Sequence, residues 1–142
     1  MTSTIRRQRP AGLAALALGA LCLPSLAHAQ IKWKEIGQTS SGNSVYVDPR
    51  SVKRSGNLVS ATVRVVFKEP AQMTKGLLKS SRSTATFDCT KKYLAAKENV
   101  FYSDERSTKV IDRTVNKQPG FGPALGGSLG DVALKYLCAG SR

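Results

Sequence analysis

Apolar and polar side chains alternate along most of the chain between residues 44 and 115. The pattern is clearest over residues 58–68. There Val59, Ala61, Val63, Val65 and Phe67 share one phase, Ser60, Thr62, Arg64 and Lys68 share the other, and Val66 is the exception. A period of two is what a strand with one dry face requires, so a strand is predicted here, ended by Glu69-Pro70. Residues 79–89 repeat the pattern, with Ser81, Ser83, Ala85, Phe87 and Cys89 in one phase and Ser80, Arg82, Thr84, Thr86 and Asp88 in the other. Cys89 therefore shares the core side with Phe87.

Shorter alternating runs at residues 31–37 and 44–48 flank Ser40-Ser41-Gly42-Asn43 and read as a hairpin, with Val45 and Val47 on one face. Asp48-Pro49-Arg50-Ser51 starts a turn, because Pro49 fixes its own φ and the Asp48 carboxylate can accept from nearby amides. Ser55-Gly56-Asn57 closes that connection. Residues 91–102 mix a helix-favouring Leu94-Ala95-Ala96-Lys97-Glu98 with a strand-favouring Val100-Phe101-Tyr102, and a strand is expected. Residues 109–115 read as a further strand and residues 118–127 as a Gly/Pro loop. The period then changes. Leu129, Val132, Ala133, Tyr136 and Leu137 recur at helical spacing, Ser128 and Asp131 form a capping pair, and Gly140 supplies a stop. The expected class is α+β: a meander of about six antiparallel strands with a C-terminal helix packed on its apolar face.

The N-terminus follows a different rule. Arg6, Arg7 and Arg9 precede an apolar stretch at residues 11–23, then Pro24-Ser25 and Ala27-His28-Ala29. Such a charged start, apolar run and small-residue site read as a signal peptide over residues 1–29, cleaved between Ala29 and Gln30. The apolar run is shorter than the ~20 residues that span a bilayer. Cys22 follows Leu21, with Gly19 three positions before it, which is a poor context for lipid attachment. An exported protein without a lipid anchor is expected, periplasmic, secreted or at the cell surface.

Cleavage leaves 113 residues, the size of one domain, with a formal charge of +10. It also removes His28 and Cys22, so the mature chain has no histidine and two cysteines. Ser-His-Asp and Cys-His catalysis need an imidazole, and neither can be assembled. His-rich and four-Cys zinc sites are excluded on the same grounds; no cofactor is expected. An even cysteine pair in an oxidising compartment predicts a Cys89–Cys138 disulfide, two free buried thiols being the alternative.

Trp33, the run Val45-Tyr46-Val47-Asp48-Pro49-Arg50-Ser51-Val52-Lys53-Arg54-Ser55-Gly56, Lys79-Ser80 before Thr86-Phe87-Asp88-Cys89, and a lone terminal Cys138 together resemble the surface-adhesin protein E-like family of bacterial exported proteins. The resemblance covers about residues 33–138, so residues 30–142 form one domain of that kind. It implies an antiparallel sheet with a disulfide-linked C-terminal helix, and a surface adhesin that engages host matrix and plasma proteins. No segment matches a binding motif of the family closely enough to carry over contact residues.

Three functional classes remain to be weighed. A binding module for a protein or for an anionic glycan or lipid is favoured by the charge. Lys75, Lys79, Arg82, Lys91 and Lys92 are its candidate basic stripe, with an ordinary solvated face as the alternative. An enzyme would have to use Asp104, Glu105 and Asp112, which alternate with Arg106, Lys109 and Arg113 like surface charge pairs. A nucleic-acid binder would interleave aromatics with its basic residues, whereas Phe67, Phe87 and Tyr136 fall in apolar phases. Trp33 and Tyr46 read as core or edge packing, with an exposed contact role as the alternative. Exposed sheet edges leave room for a homodimer. The expectation is a non-catalytic exported binding module; the alternative is a periplasmic accessory protein with no host ligand.

Overall fold

The computed structural model describes residues 32–140. The signal peptide expected over residues 1–29, with its cleavage point between Ala29 and Gln30, lies outside them. Among these residues eight strands and one α-helix follow in order: β1 (Lys34–Gln38), β2 (Ser44–Val47), β3 (Lys53–Ser55), β4 (Leu58–Met73), β5 (Gly76–Asp88), β6 (Tyr93–Tyr102), β7 (Val110–Val115), β8 (Gly122–Pro123) and α1 (Leu129–Cys138). Six strands form the main path in the order β1-β2-β4-β5-β6-β7; β3 pairs with β4 and β8 with β6. Every pairing is antiparallel. The expected six-strand meander is present, with the two short strands added at its margins.

β4 extends beyond its expected end. The strand runs through Glu69-Pro70 to Met73, because the ladder with β5 is irregular between Val66 and Ala71 and Pro70 falls inside that irregular stretch. A proline, which has no N–H to give, is tolerated where the ladder is already broken. β5 correspondingly begins at Gly76, three residues before the alternation in the sequence reveals it.

One face of the sheet is dry. Val47, Val59, Ala61, Val63, Ala85, Phe87 and Cys89 pack with Ala133, Leu134 and Leu137 of α1 in a single buried cluster. Burying each of the two leucines contributes about 1.5–3 kcal/mol. The Ser128 hydroxyl accepts from the Asp131 amide and caps the helix as expected. Two glycines allow α1 to sit close. Gly37 in β1 has φ +144° and lies against Val132, and Gly130 in the first turn of α1 leaves no room for a Cβ beside Leu94. At the far end of the helix Cys138 bonds to Cys89, immediately after β5, with the two Cα atoms 5.5 Å apart. No helix among the described residues is long and apolar enough to cross a membrane.

The turn beside this disulfide is built on Asp88. Its buried carboxylate accepts from the Asn57 side chain and from the Thr90 and Lys91 amides, while the Cys89 amide donates to the Asn57 carbonyl. These bonds, the one from the Lys91 amide foremost, hold the Asp88 pKa below the ordinary carboxylate value against the opposing effect of burial. A folded-state pKa that is lowered adds stability above the unfolded pKa of about 3.9, and that contribution fades as pH falls through the folded value. Asp88→Asn is thus expected to lower the urea midpoint at pH 7, with the gap from wild type narrowing below about pH 4. A gap of constant size from pH 7 to pH 3 would show that the Asp88 charge contributes nothing.

Candidate functional site

The register of the sheet separates the five residues of the expected basic stripe. Lys75 lies in the β4–β5 turn and pairs with Asp112 at 2.8 Å. Lys91 and Lys92 lie in the turn after the other end of β5, thirteen strand residues away. At ~3.3 Å per residue those ends are roughly 40 Å apart, several times the screening length of about 8 Å. Lys79 and Arg82 differ by an odd number of positions in β5 and face opposite sides of the sheet. Proximity in sequence does not become a stripe, because a strand both extends and alternates.

Arg82 instead joins a different group on the face that α1 leaves uncovered. Tyr46 of β2 is opposite Arg64 of β4, Arg64 is opposite Arg82 of β5, Arg82 is opposite Val100 of β6, and Val100 is opposite Arg113 of β7. Directly opposed residues share a face, so these five form one row across the sheet, with neighbours ~4.8 Å apart. Within it the Arg64 guanidinium lies 5.1 Å from the Trp33 ring and 4.7 Å from the Tyr46 ring. Both aromatics are half-buried, and their packing is against an arginine rather than within the core. Arg113 pairs with Glu98. Among the described residues, neither Arg64 nor Arg82 forms an ion pair with a carboxylate.

Arg64 is also partly desolvated. Burial draws its pKa below the usual guanidinium value, opposed by Tyr46 and Asp104, and its buried Nε has no hydrogen-bond partner. Like charges directly opposite each other in a sheet are destabilising, so Arg64 and Arg82 make a site where an anion would be welcome. A guanidinium presents a planar fork of donors suited to carboxylate, sulfate or phosphate. Next to this pair along the β4–β5 hairpin are two rows of hydroxyls. Thr62 meets Thr84 at 3.3 Å, and Ser60 meets Thr86 at 2.9 Å. On the other side of the arginines the face is closed: the Ser80 hydroxyl bonds to the Asp104 carbonyl and to Ser107 in the β6–β7 loop. The uncovered area is therefore bounded at one end.

The three carboxylates considered for catalysis do not converge. Asp104 accepts from the Thr108 and Lys109 amides within its loop, Asp112 is engaged by Lys75, and Glu105 is exposed. Tyr136, placed in an apolar phase by the sequence, is exposed beside Lys34, whose ammonium is 5.2 Å from its ring. On the helix side a cleft is lined by Lys92, Leu134, Lys135 and Cys138, but its Lys135 is already paired with Asp131. Sequence reasoning placed Arg64 and Arg82 in polar phases without bringing them together. The signal was there in two adjacent strands, each with an arginine in its polar phase.

Comparison with known proteins extends this picture. The surface-adhesin protein E family model matches residues 33–139. Among solved structures, crystal form II of Haemophilus influenzae protein E superposes with a TM-score of 0.51 at 14% identity, covering 72% of this chain and 85% of that one. Protein E from non-typeable Haemophilus influenzae gives 0.51 at 14% identity, covering 78% and 79%. At such identities the structures share a fold. No curated protein matches the sequence. With the family model spanning the whole sheet, the helix and both bonded cysteines, the chain belongs to the surface-adhesin protein E family.

Proposed function

We propose that this protein is a non-catalytic binding module of the bacterial envelope or cell surface, and that it holds an anionic partner on the helix-free face of its sheet. The observation that carries the reading is the Arg64–Arg82 pair, opposed across two central strands with no carboxylate paired to either among the described residues. Membership in an adhesin family and the +10 charge of the mature chain agree with it. The protein reaches its site of action by cleavage between Ala29 and Gln30 and carries no acyl chain. N-terminal sequencing and intact mass of the exported protein check this, with Gln30 expected as the first residue.

The binding reading is tested by crosslinking and pull-down from envelope extract and from serum and matrix proteins, side by side. Capture is expected to weaken as salt rises, because charge attraction between exposed groups is screened over about 8 Å at physiological ionic strength. Arg64→Gln with Arg82→Gln should weaken it by about tenfold or more, since a hydrogen bond to a charged group contributes about 1.5–3 kcal/mol. Lys34→Gln with Lys135→Gln removes the same charge and should change it less than about twofold, because those lysines lie against α1, on the other side of the sheet from the row. Equal losses from the two pairs would mean that net charge alone attracts the partner. Host proteins among the captured species favour adhesion; envelope proteins alone favour an accessory role in the periplasm.

A further inference from the structure

The helix-free face offers more than two guanidinium groups, and its layout selects among anionic partners. From Arg64–Arg82, the Thr62–Thr84 and Ser60–Thr86 rows continue along the same hairpin face over roughly 14 Å. Each hydroxyl pair satisfies only one O–H donor internally, so each retains one donor and spare lone pairs for a ligand. Lys53 of β3, opposite Ser60, adds a further positive charge beyond the hydroxyls. The carboxylates of this face are engaged or peripheral: Glu98 with Arg113, Asp88 in its turn, Asp48 bonded to the Arg50 amide and near its guanidinium, Glu35 on the edge strand β1, and Asp104, whose charge reaches Arg64, held by the Thr108 and Lys109 amides within the loop that closes one end.

On this basis, and resting on the binding role proposed above, we infer that the face takes an acidic polysaccharide. A carboxylate or sulfate group sits at Arg64 and Arg82, and sugar hydroxyls meet the Thr62–Thr84 and Ser60–Thr86 rows. A polypeptide lying on the same face would leave its backbone N–H and C=O groups without ladder partners, because the arginines are on central strands, away from either edge where strand addition occurs. A glycan needs no strand ladder, and its hydroxyls can pair with the Thr62–Thr84 and Ser60–Thr86 hydroxyls that the face presents. A second copy docked through this face about a two-fold axis would bring Arg64 and Arg82 against their own equivalents, which charge repulsion opposes.

The test uses the exported protein with its disulfide intact, and affinities for four probes: heparin, unsulfated hyaluronate, neutral dextran and poly-glutamate. Heparin and hyaluronate are expected to bind, dextran not to bind, and poly-glutamate to bind at least about tenfold more weakly than heparin. Arg82→Gln and Arg82→Lys should both lower glycan affinity, the second at unchanged net charge, because lysine lacks the two-pronged fork. Arg82 stacks on neither ring, so these variants leave the Trp33–Arg64–Tyr46 packing in place. Thr62→Val with Thr84→Val should lower glycan affinity several-fold while leaving poly-glutamate unchanged. Poly-glutamate bound as tightly as heparin, and lost with Arg82, would overturn the glycan and leave the binding face standing. Glycan binding indifferent to Arg82, or none at all, would overturn the glycan inference. If capture of macromolecules in the pull-down is also indifferent to Arg64 and Arg82, the proposed binding face falls with it.

Discussion

A Cys138→Ser variant is expected to lose about 2–5 kcal/mol of stability and to lose order first at α1. The bond closes a separation of 49 residues, for which the chain-entropy model gives about 4 kcal/mol. Where the loss appears follows from the helix itself. α1 has ten residues, fewer than the ~12–15 that make an isolated helix even marginal in water. It is held by the packing of Ala133, Leu134 and Leu137 and by one covalent link at its last residue. Cutting that link leaves the β4–β5–β6 ladder intact, since none of its hydrogen bonds passes through the helix.

Two measurements separate this from a general weakening. Urea unfolding gives the size of the loss. Hydrogen exchange gives its location, with α1 amides expected to open at lower free energy than those of β4 and β5. Uniform loss of protection across sheet and helix would falsify the local account. In the native exported protein, alkylation without reductant should label neither Cys89 nor Cys138.

The same contrast between local and long-range information explains what could be read from the sequence. The β4 alternation, the Asp48-Pro49 turn and the Ser128 cap were legible because each depends on residues within a few positions. In the structure, the Asp48 side chain accepts from the Arg50 amide at the start of a short 3-10 turn, as the local chemistry requires. The strand order was legible too, because short connections along the main path favour antiparallel neighbours. The candidate site was not. Arg64 meets Arg82 through a register that depends on the turn at Thr74-Lys75 and on the irregular stretch between Val66 and Ala71. A shift of one residue there would place Arg82 on the helix side. The covering of Ser80 by the β6–β7 loop, 24 residues along the chain, was equally beyond local inspection. The placement of Lys75, Lys79, Arg82, Lys91 and Lys92 was hidden for the complementary reason, since an extended strand spaces and alternates residues that are close in sequence.

Phe87→Ala is expected to cost about 3–5 kcal/mol, and that cost should shrink once the disulfide is gone. Phe87 is 1% exposed, opposite Val59 in β4 and Leu94 in β6, and it belongs to the cluster roofed by Leu134 and Leu137. Truncation removes a large apolar side chain and leaves a cavity that the pleated sheet cannot close by itself, so the cost depends on how far the roof can settle. While Cys138 is bonded to Cys89, two residues from Phe87, the end of α1 is pinned above the gap. In a Cys138→Ser background the helix can shift into the space, and the packing of α1 on Phe87 is already weaker before the ring is removed. The two substitutions share a boundary and should therefore not add, with an interaction of about 0.5–3 kcal/mol in the double-mutant cycle. Urea unfolding of the wild type, both single variants and the double variant measures it. Strict additivity would mean that the packing of α1 over Phe87 is independent of the disulfide, and that the bond stabilises the protein only by restricting the unfolded chain.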